Sequence, residues 1–206
     1  MKKILLTAVL IGAMFSVSAY VVCVAAPLLG KNIKGSGHIV TKTLPAPDFD
    51  AIDASRAVKV VVSAGASDIR IEADDNLIDL VVAETRGKTL EVTLDKKASN
   101  IQNADITVTI PANGGKIRSL KASSASKIAL AGSAEDFTAD LSSASKLDAE
   151  KFTAVNASVS TSSAAKADID CSGKLTASAS SGSSIGYTGG CRTSLSKSSG
   201  GSVRKN

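Results

Sequence analysis

One short phrase recurs down the C-terminal half of the chain, and it narrows the possible folds more than any other feature. It reads Ser123-Ser124-Ala125-Ser126-Lys127, Ser142-Ser143-Ala144-Ser145-Lys146, Ser162-Ser163-Ala164-Ala165-Lys166, Ser180-Ser181-Gly182-Ser183-Ser184 and Ser198-Ser199-Gly200-Gly201-Ser202. The starts lie 19, 20, 18 and 18 residues apart. A steady period of this length marks a solenoid, in which each coil buries its apolar edge only by stacking on its neighbours. The competing reading is a disordered Ser/Ala/Gly linker. Against it, apolar pairs follow the phrases at period two: Ile128 and Leu130, Leu147 and Ala149, Ala167 and Ile169, Ile185 and Tyr187, then Val203. A second set precedes them, Leu120 and Ala122, Ala139 and Leu141, Ala157 and Val159, Ala177 and Ala179. This is the alternation of half-buried strands, so each coil is expected to carry two short strands about a bend of small residues. Clustered Ser with alternating Val, Ile and Thr opposes the helix that the Ala content would otherwise favour.

Coils of about 18–20 residues have a perimeter of roughly 65 Å at the rise of a strand, which suits a flattened or three-sided section with a narrow interior. The composition agrees, with 44% hydrophobic residues but only 3% aromatic and no Trp. Upstream, strand-like segments lie at Val58–Val62, Asp68–Glu72, Leu77–Ala83, Leu90–Leu94 and Ile106–Ile110, separated by turn-rich joints such as Asp74-Asp75-Asn76 and Arg86-Gly87-Lys88. They read as further coils with longer corners in the same domain, with a separate N-terminal sandwich as the alternative.

The N-terminus is Met1-Lys2-Lys3 followed by fourteen residues, Ile4 to Val17, that are mostly apolar. A basic start and an apolar run too short to span a bilayer comfortably are the marks of a secretory signal. Cleavage after Ala19 and cleavage near Ala25 both fit the small residues around them, and the second is preferred. Residues 1–25 are therefore expected to be a signal peptide and 26–206 a single all-β solenoid domain. Cys23 follows Val22, where lipid-attachment motifs favour Gly, Ala or Ser, which argues against lipidation. No other segment is long and apolar enough for a transmembrane span, and the expected location is the periplasm, the outer membrane or the cell exterior.

Over nearly all of this expected mature chain the residues resemble a known family, the auto-transporter adhesin head domain or head GIN domain of Bacteroides-like and other Gram-negative bacteria. Gly35-Ser36-Gly37-His38-Ile39-Val40 is similar to its opening Gly-Ser-Gly strand, and Phe49-Asp50-Ala51-Ile52 to its Phe-x-x-Ile. Ala73-Asp74-Asp75-Asn76-Leu77, Leu90-Glu91-Val92 and Ile106-Thr107-Val108-Thr109-Ile110-Pro111 follow in the family's order, and the Ser phrases stand for its Ser-Gly-Ala-Ser repeats. The resemblance implies a right-handed β-helix and an adhesion-like role. The chain departs from the pattern at Ser124, Ser143 and Ser163, where the family usually has Gly, which leaves the conformation of the bend open.

Candidate sites are few. One His excludes a two-His metal site, three Cys cannot build a four-thiolate zinc site, and no cofactor is expected. A net charge of +5 spread along the chain, with almost no aromatics for base stacking, argues against nucleic acid. His38 reads as a surface or edge residue, and Asp74-Asp75-Asn76 as a solvated turn rather than a calcium site. Lys127, Lys146 and Lys166 close successive phrases and should stack along one edge about 4.8 Å apart. Such a row either keeps the surface soluble, with Asp148 and Asp168 as ion partners, or forms a cationic strip for an acidic polysaccharide or envelope component. A protein partner or a second copy meeting a coil end is the alternative, and a polysaccharide lyase-like enzyme is supported by fold analogy alone. Counting back from Leu175 and Leu195 places Cys171 and Cys191 at the same point of consecutive coils. In an oxidising compartment they are expected to form a disulfide, the alternative being two stacked thiols.

Overall fold

The bend of each phrase is built from backbone that L-residues seldom adopt. Ser124 and Ala125 have φ of 52° and 62°, Ser143 and Ala144 of 52° and 60°, Ser163 and Ala164 of 51° and 61°. Ser181 and Gly182 repeat the pair at 52° and 70°, as do Ser199 and Gly200 at 45° and 77°. A left-handed non-Gly residue costs roughly 1–2 kcal/mol, so the bends persist only because their surroundings hold them. What holds them is a chain of backbone hydrogen bonds between layers. The N–H of Ala125 donates to the carbonyl of Ser143 (2.8 Å), Ala144 to Ser163 (2.9 Å), Ala164 to Ser181 (3.0 Å) and Gly182 to Ser199 (3.1 Å). Where the fourth place of the phrase is Ser, it is buried and sews the layers together. Ser126 Oγ donates to the carbonyl of Ala54, and Ser145 Oγ to that of Ala122, each at 3.0 Å. Ser183 Oγ reaches the Thr161 carbonyl at 2.9 Å.

This computed structural model describes residues 33–98 and 101–206; the expected signal segment and Cys23 lie outside them. The strands are β1 (Ile33–Lys34), β2 (Ile39–Leu44), β3 (Ala51–Ala54), β4 (Lys59–Ser63), β5 (Ile69–Asp74), β6 (Val81–Arg86), β7 (Thr89–Leu94) and β8 (Ile101–Gln102). They continue with β9 (Ile106–Pro111), β10 (Ser119–Ala122), β11 (Lys127–Leu141), β12 (Lys146–Thr161), β13 (Lys166–Ala179), β14 (Ser184–Thr188), β15 (Arg192–Lys197) and β16 (Ser202–Lys205). The described residues contain no α-helix, only two single 3-10 turns. The fold is a β-solenoid whose long strands β11, β12 and β13 each start on one face, round a corner and finish on the next face one layer up. The first face stacks β9, β4, β11, β12, β13, β14 and β16 in parallel. The second stacks β7, β3, β10, β11, β12, β13 and β15.

The narrow interior follows from the register. On the first face Val108, Val60, Ile128, Leu147, Ala167, Ile185 and Val203 form one buried column. On the second, Leu90, Ile52, Leu120, Ala139, Val159 and Ala177 form another. The corner is filled by Phe137 and Phe152, whose ring centres are 4.8 Å apart. The apolar pairs flanking the phrases are buried as the alternation requires, apart from Tyr187, which is half-buried.

The N-terminal half differs from the simple continuation of coils expected from its strand-like segments. It supplies two coil layers, but out of chain order: β7 and β9 lie outside β3 and β4, which are the strands that pair with the regular coils. Its other long strands are antiparallel, β2 on β5, β5 on β9 and β6 on β7. The physical reason is the open edge that a stack of parallel coils presents, which these antiparallel strands cover. Leu77–Ala83, expected as strand, begins as a 3-10 turn at Ile78–Leu80 and becomes strand only from Val81.

The bend carries a stability prediction with its own control. Ser145→Ala should cost about 1 kcal/mol, since it removes the donor to the Ala122 carbonyl, whereas the phrase at Ser162 already has Ala165 in that place. Ala144→Gly should raise stability by about 0.5 kcal/mol, the relief at φ 60° outweighing the freer unfolded chain. Urea unfolding of the two variants beside the parent measures both.

Candidate functional site

The lysine that closes each of the first three phrases is the first residue of a strand and points away from the core, because the residue after it enters the buried column. Lys127, Lys146 and Lys166 are exposed and directly paired in register, Lys127 with Lys146 and Lys146 with Lys166. The ladder also has a fourth member that the phrase search missed, since Lys59 pairs with Lys127 on the other side. Lys59 belongs to a diverged phrase, Ser55-Arg56-Ala57-Val58-Lys59, whose Arg56 and Ala57 adopt the same left-handed bend (φ 62° and 60°). Ala57 N–H joins the interlayer chain through the Ser124 carbonyl at 2.8 Å. Arg56 Nη1 ties the bend outward to the carbonyls of Leu94 (3.1 Å) and Asp95 (2.9 Å). The sequence signal was there, Ser, then Ala at the third place and Lys at the fifth.

The ladder's ends differ in charge balance. Lys166 Nζ pairs with Asp168 Oδ2 at 3.1 Å, a carboxylate that is largely buried. Asp148, the other expected partner, makes no ion pair among the described residues; the same holds for Lys59, Lys127 and Lys146. The row ends at Thr107 below Lys59 and at Ser184 above Lys166. The Cα atoms of four exposed lysines thus stand at the spacing of strands, about 4.7–4.9 Å, on one line.

The acidic corner is only partly the solvated turn expected. Asp74 is buried and accepts the N–H of Gly37 at 2.6 Å and that of Asp105 at 3.1 Å. Asp75 accepts the Ser36 hydroxyl at 2.6 Å, and that bond holds its carboxyl below the usual range. Asn76 donates to the Lys34 carbonyl at 2.9 Å. The trio latches the segment Lys34–His38 to the body. His38 is exposed, and its backbone carbonyl accepts the Asp75 N–H at 2.9 Å.

The two thiols depart from the sequence reading. Both Cys171 and Cys191 are free, so the expected disulfide is not formed here. The pairing Asp170–Thr188 and Lys174–Arg192 puts Cys191 opposite Gly173 rather than opposite Cys171, two residues away from the assumed register. The side chains are neighbours all the same. Burial, followed by the charge and hydrogen bond of Cys191, pushes the Cys171 thiol up to about 11. The unfolded thiol, at its ordinary 9.0, ionises first as pH rises, so the contribution of Cys171 to stability is complete below pH 9 and falls between 9 and about 11. Stability measured against pH should therefore decline less steeply over that window in Cys171→Ala than in the parent. Maleimide labelling of the folded protein should modify Cys191 well before Cys171, which is fully buried.

Among the described residues no helix is long and apolar enough to cross a membrane. No curated protein matches the chain. Among solved structures the chain is similar to a putative adhesin from Parabacteroides merdae, at 14% identity and TM-score 0.42 over 85% of this chain and 99% of that one. It is also similar to a putative adhesin from Bacteroides fragilis, at 18% identity and TM-score 0.48 over 85% and 100%. A third is a putative lipid binding protein from Parabacteroides distasonis, at 16% identity and TM-score 0.39 over 85% and 100%. The profile of one family matches residues 48–115 and again 115–191, taking in the bends, both faces and the lysine ladder, and the chain belongs to that family, "Putative auto-transporter adhesin, head GIN domain".

Proposed function

We propose that this protein is an exported, non-catalytic adhesion-like module that holds acidic polysaccharide or another anionic envelope polymer along its lysine ladder. Family membership and the solenoid fold support the adhesion-like role, and the signal-like N-terminus supports export. The observation that carries the ligand class is the unbroken register Lys59, Lys127, Lys146, Lys166. Repulsion along such a row is relieved by a polyanion lying parallel to the solenoid axis, one negative group near each layer.

A second reading rests on the C-terminal coil. Leu195 follows Ala177 in the core column yet is 41% exposed, and β15 and β16 each pair on one side only among the described residues. A protein partner adding a strand there is the alternative. The chain has no acidic residue after Asp170, and Arg192, Lys197, Arg204 and Lys205 lie on these two strands. That charge favours an acidic partner over a second copy meeting the same edge.

Binding of polygalacturonate to the purified protein, followed by calorimetry at rising salt, separates the readings. The ladder predicts affinity that falls with ionic strength, and a loss of about threefold for each of Lys127→Ser and Lys146→Ser. Lys166→Ser should cost less, because Asp168 already neutralises that lysine. Equal affinity in all three variants would remove the ladder from the function.

A further inference from the structure

The second face carries a surface of different chemistry. Its outward positions stack as Thr138, Ser158, Thr176 and Ser194 in one row, and as Ser160, Ser178 and Ser196 in the row beside it. A third row, Ser123, Ser142, Ser162 and Ser180, opens each bend and is half-buried. Between the second and third rows runs an open groove of about 420 Å³. It spans the layers of Asp53, Lys121, Asp140, Ser160 and Ser178, roughly 19 Å at the spacing of strands.

Two properties separate this groove from the lysine ladder. Its hydroxyls are uncommitted: those of Ser123, Ser142, Ser160, Ser162 and Ser178 make no side-chain hydrogen bond among the described residues. In the groove's lowest layer, that of Asp53, the equivalent hydroxyl of Ser55 is instead closed off by Thr93 of the layer beneath, at 2.7 Å. The charge also has the opposite sign. Lys121 sits in register between Asp53 and Asp140, and Glu91 pairs with Asp53 on the far side. Glu91 itself is ion-paired with Arg86 at 3.0 Å and lies outside the groove, so along the groove two carboxylates flank one ammonium at this end and the rest is neutral.

We infer that this groove binds a neutral, hydroxyl-rich polymer, a linear uncharged glycan lying along the solenoid axis. Each layer from Lys121 upward offers hydroxyls that both donate and accept, and such groups match the hydroxyls of successive sugar units. Asp53 and Asp140 add charge-assisted acceptors at one end, the stronger kind of hydrogen bond to a sugar hydroxyl. The same carboxylates repel a polyanion, so the groove and the ladder select different ligands. The concave shape favours a chain over a flat lattice of ordered water.

The test is titration of the purified protein with neutral glucan oligomers of increasing length, observed by ligand NMR and calorimetry. Affinity should rise with length until the groove is filled and then level off, and it should be insensitive to salt. Ser160→Lys with Ser178→Lys, at exposed positions where the strand tolerates long side chains, should weaken it about tenfold by filling the groove. Asp140→Asn should weaken it less. Lys127→Ser with Lys146→Ser should leave it unchanged while reducing polygalacturonate binding, so failure of the ladder and failure of the groove are read separately. Absence of binding across neutral α- and β-linked glucans, mannans and galactans overturns the proposal. So does binding that the double lysine variant of the groove does not weaken. Inhibition of ice recrystallisation without glycan binding assigns the hydroxyl rows to ordered water instead and equally overturns it.

Discussion

The chain of backbone hydrogen bonds through the bends sets the terms for everything else in this molecule. Each bend spends two residues in left-handed backbone and recovers the cost only because its N–H reaches the carbonyl of the next bend. A bond between layers requires that successive bends lie directly above one another. That condition explains the small side chains. The second and third residues of the regular phrases are exposed and left-handed, where a β-branched residue would be strained, and the fourth sits beneath the bend at the narrow end of the coil, where Ser126, Ser145, Ala165 and Ser183 are buried. The Ser hydroxyl in that buried place bonds to a carbonyl of the layer below, so the polar group belongs to the ladder rather than opposing it.

Stacked bends also bring the lysines together. Once the bend is fixed, the residue after it must leave outward, and the same residue in every layer stands above its counterpart. Among the described residues the exposed row has an ion-pair partner only at Lys166, through Asp168. Like charges at the separation of strands are unfavourable, though screened where they face water. The row persists because the backbone register imposes it. A row of like charges is a general means of keeping sheet faces apart, and it does not compete with holding a polyanion, because the charge that repels a second cationic sheet is the charge that attracts an anionic chain.

The regular coils were legible because two independent periods coincide, the recurrence of the phrase and the alternation of apolar residues on either side of it. Ser55–Lys59 was not, because Arg56 and Val58 replace Ser and because the segment stands 68 residues ahead of Ser123, where no period reveals it. The chain reaches its neighbouring layer only after passing through the antiparallel strands and a further coil, and that order is a tertiary fact with no local signal. The thiol register failed for a simpler reason. Cys171 lies nine residues before Ser180 and Cys191 seven before Ser198, so counting from the bends exposes the two-residue offset that counting from Leu175 and Leu195 conceals. The bends are the fixed points of this fold, and the corners between them absorb insertions and bulges.

That division between fixed bends and variable corners explains how one solenoid carries two unlike surfaces. The strand leaving the bend and the strand entering it lie on different faces, so a residue type repeated just after the phrase builds a ladder on one face without touching the other. Lysine after the phrase makes the first face cationic from Lys59 to Lys166. Ser and Thr before the phrase make the second face a bed of hydroxyls, with Asp53, Lys121 and Asp140 confined to its lower layers. Beyond Lys166 the rule changes on the first face, since Ser184 and Ser202 take the lysine's place and the basic residues move to Arg192, Lys197, Arg204 and Lys205. Because every layer repeats the same bend, such changes at outward positions cost little in packing, and surface chemistry can vary along the axis while the bends and the narrow core stay the same.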